Sequence, residues 1–197
     1  MTCRLDPAKL AACRRLSSQI PAAEMPKTFW QFDQEQGRIC HADGQELKMA
    51  DLHFLKAVLN YFRLIYRLYQ TEAQVVIFKA ADKNKLDPAL PRLDLKDPEL
   101  VGIIPPQVNS LVNSQIAESL WQKEFAAKGL LPYARVHSHH CFNAYQSKTD
   151  FASLQSGSLE IVLGQIQNQG EFCYWLADRT DPTIRQKTFQ GQIADLA

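Results

Sequence analysis

Two histidines, a serine and an aspartate lie close together in the segment VHSHHCFNAYQSKTD, residues 136–150. One residue separates His137 from His139, seven more residues follow, and Ser147 precedes Asp150 by three positions. Imidazole nitrogens and carboxylate oxygens are zinc ligands, and a catalytic zinc site has three protein ligands and a fourth position for water. The residue types and their spacing therefore predict that His137, His139 and Asp150 bind zinc as the cofactor.

The local structure expected around this segment would bring the three ligands together. The apolar residues 130–136 predict a strand, in which side chains two positions apart point to the same face. His137 and His139 could then contact one ion from the end of that strand. A loop would return the chain so that Asp150, at the start of a helix, supplies the third ligand. Ser147, one helical turn earlier, would place its hydroxyl beside the reacting water.

Each of these residues also has an ordinary structural interpretation. Histidines at the end of a strand can be exposed to solvent, Asp150 can cap the N-terminus of a helix, and Ser147 can be a loop hydroxyl. His140 should point to the face opposite His139, because successive strand residues alternate. A thiolate is a soft metal ligand by type, but Cys141 is expected to be a small packed residue.

The pattern H-x-H-x7-S-x2-D, with a glutamate far upstream, resembles the motif of the JAMM (MPN+) zinc metalloproteases, which include prokaryotic JAB-like proteins. The resemblance implies that the two histidines and the aspartate hold zinc and that Ser147 helps to stabilise the oxyanion. It also implies a glutamate general base between the first long helix and the next strand. That junction reads YQTEAQVVIF, where Glu72 matches by position, and Glu46 and Glu118 are competing candidates. The family usually has proline where this chain has His140.

The same resemblance implies an α/β fold of the cytidine-deaminase-like kind, a mixed β-sheet flanked by helices. Apolar residues at three- and four-residue steps predict a helix over residues 50–70. A second helix is predicted over 114–128, followed by the strand over 130–136. The run VVIF at 75–78 predicts a buried strand.

Further strands are predicted near both ends of this region. TFWQFDQ and GRICHA, within residues 28–42, predict a hairpin, and ELVGII at 99–104 predicts one strand. SLEIVLGQI and EFCYWLA, joined by QNQG, predict two more strands after a short helix that follows Asp150.

The domain organisation follows from these elements and from the prolines. Residues 1–27 are predicted to be an N-terminal appendage of a short helix and a linker. Residues 28–180 form the JAMM/MPN-like domain, and residues 181–197 a C-terminal tail. Five prolines between residues 82 and 108 exclude a regular helix there and indicate an insertion or long loop.

Composition argues against several classes of protein. A net charge of +1 over 197 residues gives no broad basic surface for nucleic acid. No apolar run reaches the roughly 18 residues of a membrane-spanning helix, and the N-terminal segment lacks the apolar stretch of a secretory signal. The cysteines are odd in number, widely spaced and without a C-x-x-C pair: Cys3, Cys13, Cys40, Cys141 and Cys173. We therefore expect free thiols in a reducing compartment, a cytoplasmic location, and no membrane or nucleic-acid partner.

The function that the resemblance implies is that of a zinc metallopeptidase or isopeptidase. Its substrate partner would be a ubiquitin-like protein or another protein or peptide, cut after the C-terminal tail. Such tails bind in extended form and add a strand to a sheet edge, and the proline-rich segment 82–108 is the candidate to hold one. Two alternatives stay open: a non-catalytic scaffold that retains the metal site, and a hydrolase that acts on a non-peptide substrate associated with nucleic acid.

Overall fold

The computed structural model describes residues 30–33, 35–41, 44–80, 91–105, 107–110, 114–116, 130–147, 150, 159–177 and 188–196. The predicted appendage over residues 1–27 lies outside these residues, as do residues 117–128 of the second predicted helix and the residues after Asp150 that were predicted to be helical.

The described chain contains a long helix and many short strands. The helix is α1 (Leu55–Tyr69). The strands are β1 (Trp30–Asp33), β2 (Arg38–His41), β3 (Gln74–Ala80), β4 (Arg92–Leu93), β5 (Leu100–Ile103), β6 (Gln107–Asn109), β7 (Ser114–Ile116), β8 (Leu130–Ser138), β9 (Leu159–Gly164), β10 (Glu171–Leu176) and β11 (Phe189–Gln192). Short 3-10 turns cover Met49–Leu52 and Ile193–Asp195.

Seven of these strands form one mixed sheet in the order β11-β10-β9-β8-β3-β5-β4. β8 and β9 run parallel, and the other neighbouring pairs are antiparallel. β1 with β2 and β6 with β7 form two antiparallel ribbons. The α/β class and the mixed sheet predicted from the sequence are confirmed, as is the predicted hairpin of β1 and β2.

Helix α1 forms because its apolar residues recur at helical spacing and are buried together. Leu55, Val58, Leu59 and Phe62 are all buried, on one stripe of the helix. The predicted start at residue 50 is wrong: residues 49–52 form a 3-10 turn instead, in which the Lys48 N–H donates to the Asp51 carboxylate at 2.8 Å. The predicted end is confirmed to within one residue.

The two faces of the sheet have different roles. Alternate residues of the central strands pack with α1 in the largest apolar cluster, which includes Val75, Ile77, Ala134 and Val136. The residues between them point to the opposite face, because side chains alternate along a strand. His137 belongs to this second set. The candidate site therefore lies on the face of the sheet that does not pack against α1.

Two predicted elements differ from the structure. Ser114–Ile116 were predicted to begin a helix, but they form β7 and pair with β6, with Gln107 opposite Ile116. The predicted tail over residues 181–197 contributes β11 to the sheet, and Ile193 and Leu196 are part of the main core. The domain therefore continues at least to Leu196. In both cases the strand pairs with the one that precedes it in the chain, but β7 has only three residues, and the short β11 lacks a marked apolar alternation.

A helix that crosses a bilayer must be both long and apolar. Among the residues that the structure describes, no helix combines the length and the hydropathy needed to cross a bilayer.

Candidate metal centre

The three side chains predicted to bind zinc converge on one point. His137 Nε2 lies 3.3 Å from His139 Nε2 and 3.1 Å from Asp150 Oδ1, and His139 Nε2 lies 3.7 Å from Asp150 Oδ2. Four ligands about 2.1 Å from a tetrahedral zinc ion are about 3.4 Å from one another. The 3.1 Å and 3.7 Å separations involve different oxygens of Asp150; with one ligand atom from each residue, the three atoms lie within 4.8 Å of one another, so the group could hold a metal ion.

Strand β8 and its neighbours fix the two histidines. His137 pairs with Gln74 of β3 on one side and with Val162 of β9 on the other. The His139 N–H donates to the Leu163 carbonyl at 2.8 Å. Both side chains are almost fully buried, His137 with 7% of its surface exposed and His139 with 6%. The histidines are therefore not the solvent-exposed strand end of the ordinary interpretation.

Asp150 is held in place by Ser147 through a reciprocal pair of hydrogen bonds. The Ser147 N–H donates to Asp150 Oδ2 at 2.6 Å, and the Asp150 N–H donates to Ser147 Oγ at 3.2 Å. This reciprocal pattern is that of a capping box, in which a serine and an acidic residue three positions later each accept the other's backbone N–H. Asp150 is itself helical, so the alternative interpretation of Asp150 as the N-cap is wrong, and its Oδ1 contacts His137.

The loop between His139 and Ser147 is hydrogen-bonded to the hairpin of β9 and β10. The Gln165 N–H donates to the Phe142 carbonyl at 2.8 Å, and the Ile166 N–H donates to the His140 carbonyl at 2.9 Å. The Ala144 N–H donates to Glu171 Oε1 at 2.6 Å. The chain must therefore return from the histidines to the aspartate along a defined path.

Gly164 is the point where the loop and the hairpin approach most closely. A Cβ built on Gly164 would lie 2.2 Å from the backbone nitrogen of Ala144 and 2.4 Å from the carbonyl carbon of Asn143. Only glycine leaves room for a backbone at that distance. Gly164 and Glu171 were not among the predicted site residues, because their role depends on strand pairing that short-range patterns do not reveal.

The surroundings of Asp150 and His139 keep both side chains in the protonation states that bind a metal ion. Burial is the largest influence on Asp150 and by itself would raise its pKa, but the hydrogen bond and charge of His137 and the bonds from Ser147 lower the pKa to about 2. Burial, followed by the charge of His137, lowers the pKa of His139 to about 4. Near neutral pH the carboxylate is ionised and the His139 ring is neutral, which is how metals are bound.

Glu72 lies beside this group, on the same face of the sheet. The Ser138 N–H donates to the Ala73 carbonyl at 3.1 Å, and the Ala73 N–H donates to the Ser138 hydroxyl at 3.2 Å. The preceding residue, Glu72, therefore lies opposite His139 when the pairing of the two strands is continued. Cross-strand partners share a face, so its carboxyl is on the side of the ligands.

The Glu72 carboxyl is also in an environment suited to accepting a proton. Only 8% of the residue's surface is exposed. Desolvation by burial is the main influence and raises its pKa to about 7; the charge of His137 opposes this shift, and that of Asp150 adds to it. The competitor Glu46 is exposed and pairs with Arg38 at 3.2 Å, whereas Glu118 lies outside the described residues.

The two neighbours of the histidine pair have different surroundings. His140 is buried and directed away from the ligands; its ring centroid lies 4.8 Å from that of Tyr66 on α1. The expectation that it faces away from His139 is confirmed. Cys141 was expected to be packed, but it is exposed. That expectation is wrong, because the chain turns outward immediately after the strand.

Two aromatic side chains beside the metal group were not predicted as site residues. The Tyr145 ring stands edge-on to His139, with centroids 4.8 Å apart, while half of its surface remains exposed. Phe142 is exposed to a similar extent, at 54%. Both belong to the loop that joins His139 to Ser147, and Tyr145 contacts a ligand directly. The sequence contained a signal for them, two aromatics within the interval between His139 and Ser147.

No protein-family model matches the chain, and no curated protein matches its sequence. A function for the site has to come from the side chains described above.

Proposed function

We propose that the protein is a zinc-dependent metallopeptidase of the JAMM type, which hydrolyses a peptide or isopeptide bond after the C-terminal tail of a ubiquitin-like protein. The observation that carries this proposal is the pairing of two features: a three-residue group that could hold a metal ion, and a buried glutamate on the same sheet face with a pKa raised to about 7. A purely structural metal site needs no base beside it.

Glu72 has the properties of a general acid–base group. A carboxyl with a pKa near the working pH can accept a proton in one step and return it in the next. We infer that Glu72 takes a proton from the water that attacks the scissile carbonyl. It then delivers that proton to the leaving amine, so that the carboxyl ends in its starting state. Zinc bound by the three ligands would supply a Lewis acid that activates the water and polarises the carbonyl.

Ser147 is suited to stabilise the developing oxyanion. Its oxygen accepts the Asp150 N–H, which leaves the hydroxyl proton available for donation. The capping box holds this side chain next to a ligand, so its position requires little reorganisation during the reaction. Donors of this kind contribute most when they are fixed before the charge forms.

The surroundings of the metal group support an extended polypeptide substrate. Phe142 and Tyr145 are two exposed aromatic side chains on the ligand loop. The segment over residues 82–108 ends in β6, one strand of the two-stranded ribbon formed with β7. We propose that the substrate tail adds to this region as a further strand, with backbone hydrogen bonds providing affinity.

A direct test is hydrolysis by the zinc-loaded chain of a ubiquitin-like protein that carries a C-terminal extension. Wild-type protein should release the extension, and Glu72→Gln should lower the rate about a hundredfold or more while it retains zinc. A wild type that holds zinc and cuts neither this substrate nor an isopeptide-linked pair would refute the peptidase. It would favour the alternative, a scaffold that retains the metal site.

A further inference from the structure

The pairing of β5 with β3 ends at Ile103, two residues before Pro105. Val76 is opposite Ile103 in this antiparallel pair, so Gln74 would be opposite Pro105. The Ala80 N–H donates to the Glu99 carbonyl at 2.9 Å. Because such bonds alternate along antiparallel strands, Gln74 and Pro105 should also exchange two of them. Proline has no N–H, so the Gln74 carbonyl cannot receive its bond from that strand.

The side-chain amide of Gln107 takes the place of the missing strand. The Gln74 N–H donates to Gln107 Oε1 at 2.7 Å, and Gln107 Nε2 donates to the Gln74 carbonyl at 3.0 Å. A primary amide offers the same donor and acceptor as a peptide group. Gln107 thus makes with Gln74 the two bonds that an antiparallel strand would have made.

The same amide anchors the ribbon of β6 and β7 against β3. The Ser114 hydroxyl lies 3.0 Å from Gln107 Oε1 and 2.7 Å from Asn109 Oδ1. The Gln74 side chain donates to the Ser114 carbonyl. Gln74 is therefore held to both strands of the ribbon, through its backbone by Gln107 and through its side chain by Ser114.

The ribbon in turn holds the backbone of the proposed base. The Glu72 N–H donates to the Ser110 carbonyl at 2.9 Å, and Ser110 follows β6 directly. On its other side Glu72 is followed by Ala73, which is bonded to Ser138 of the ligand strand. The position of the Glu72 carboxyl relative to the histidines thus depends on two attachments, one to the ligand strand and one to the ribbon.

We propose that Gln107 is a positioning residue for Glu72: its amide replaces the hydrogen bonds that Pro105 cannot make and thereby fixes the ribbon that holds the Glu72 backbone. This role in catalysis rests on the proposed function. Gln107 touches none of the reacting groups and acts through Gln74 and Ser110.

The test is Gln107→Ala in the full chain, followed by amide hydrogen exchange and by hydrolysis. The exchange rates of the Gln74 and Glu72 amides should each rise about tenfold, the scale of one lost hydrogen bond. The Val75 amide, on the strand edge that faces β8, should change little. Zinc affinity should stay near the wild-type value, because all three ligands lie outside the ribbon. The kcat should fall about tenfold to a hundredfold with KM nearly unchanged, as expected for a misplaced base.

Two further variants separate this role from general destabilisation. Gln107→Glu keeps an acceptor for the Gln74 N–H, so protection of that amide should be restored relative to Gln107→Ala. Gln167→Ala removes an exposed glutamine from the turn between β9 and β10 and should change none of these quantities.

The measurements also distinguish the failure of this inference from failure of the proposed function. Unchanged exchange at Glu72 in Gln107→Ala would overturn the inference, and so would faster exchange with an unchanged kcat in an active enzyme. If wild-type protein hydrolyses nothing, the proposed function fails. Exchange at Glu72 then still decides whether Gln107 fixes its backbone.

Discussion

The Asp150 carboxylate contacts His137 through Oδ1 at 3.1 Å and receives the Ser147 N–H on Oδ2 at 2.6 Å. Oδ2 also lies 3.7 Å from His139 Nε2, so the oxygen that Ser147 fixes is also beside the second histidine. Since Ser147 in turn accepts the Asp150 N–H, the capping box and the metal group share Asp150. Loss of the serine hydroxyl should therefore affect stability, metal affinity and chemistry by different amounts.

Ser147→Ala should separate these three effects. Loss of the hydroxyl that accepts the Asp150 N–H should lower the free energy of unfolding by about 1 kcal/mol. Zinc affinity should fall by no more than about tenfold, the lower end for residues that orient a ligand, because the Ser147 N–H still reaches Asp150. Hydrolysis should fall about a hundredfold or more if the hydroxyl donates to the oxyanion. Ser147→Thr retains the hydroxyl and should retain most activity; equal rates in the two variants would exclude the donor role.

One zinc ion should bind per chain, and the His137→Ala, His139→Ala double variant should bind none at stoichiometric level. The double variant lacks two of the three ligands, including both nitrogens of the 3.3 Å contact between His137 and His139. Metal analysis of protein purified without chelator measures the content. His53→Ala is a matched control, since His53 pairs with Asp97 at 3.2 Å outside the ligand group. Full zinc content in the double variant would place the metal elsewhere.

Gly164→Ala should weaken zinc binding although residue 164 is not a ligand. Its Cβ would overlap the backbone of Asn143 and Ala144, so the loop from His139 to Ser147 must move. We expect a loss of about 1–3 kcal/mol in the free energy of unfolding. Zinc affinity should fall about tenfold to a hundredfold.

Gly44→Ala is the control variant for Gly164→Ala. Gly44 has a φ of +89° but open space around its Cβ, so alanine there should cost about 1 kcal/mol through backbone strain and leave zinc binding intact. Equal zinc affinities in the two alanine variants would show that the loop does not control the position of Asp150.

The ligand group was predictable from the sequence because its geometry is local. Alternation along β8, continued one residue beyond its end at Ser138, places His137 and His139 on one face, and the serine three residues before Asp150 carries the signature of a helix start. Neither inference requires knowledge of which strands pair. The α/β class was predictable for a similar reason, since α1 and β3 each have a clear apolar period.

The remaining features were missed for other reasons. Gln107 acquires its role only because the register of β5, continued beyond Ile103, brings Pro105 opposite Gln74, and no local pattern reveals that register. β11 was taken for a tail because the short segment before Ile193 has no marked apolar alternation; its pairing with β10 is what places it in the sheet. The 3-10 turn before α1 was missed because the apolar period continues through it.

The contribution of Glu72 to the free energy of unfolding of the chelator-treated protein should fall as the pH rises, whereas His139, whose pKa is lowered to about 4, contributes in the opposite direction. The pKa of Glu72 is raised from the ordinary value of 4.5 to about 7 on folding, so the folded state favours the protonated carboxyl. The stabilisation is fully present below pH 4.5 and is lost as the pH rises through about 7. Between pH 5 and pH 8 the loss should reach about 2–3 kcal/mol, at 1.36 kcal/mol for each unit of pKa difference.

Glu72→Gln isolates this contribution, because glutamine keeps the shape of the side chain but cannot ionise. The variant and wild type should have similar free energies of unfolding at pH 5, and the variant should be the more stable at pH 8. Denaturant unfolding at the two pH values measures the difference. Zinc brings positive charge near the carboxylate and should reduce the pH dependence of wild type. If wild type and variant change in parallel with pH, Glu72 is already ionised at pH 5 and lacks the raised pKa on which its role as a base depends.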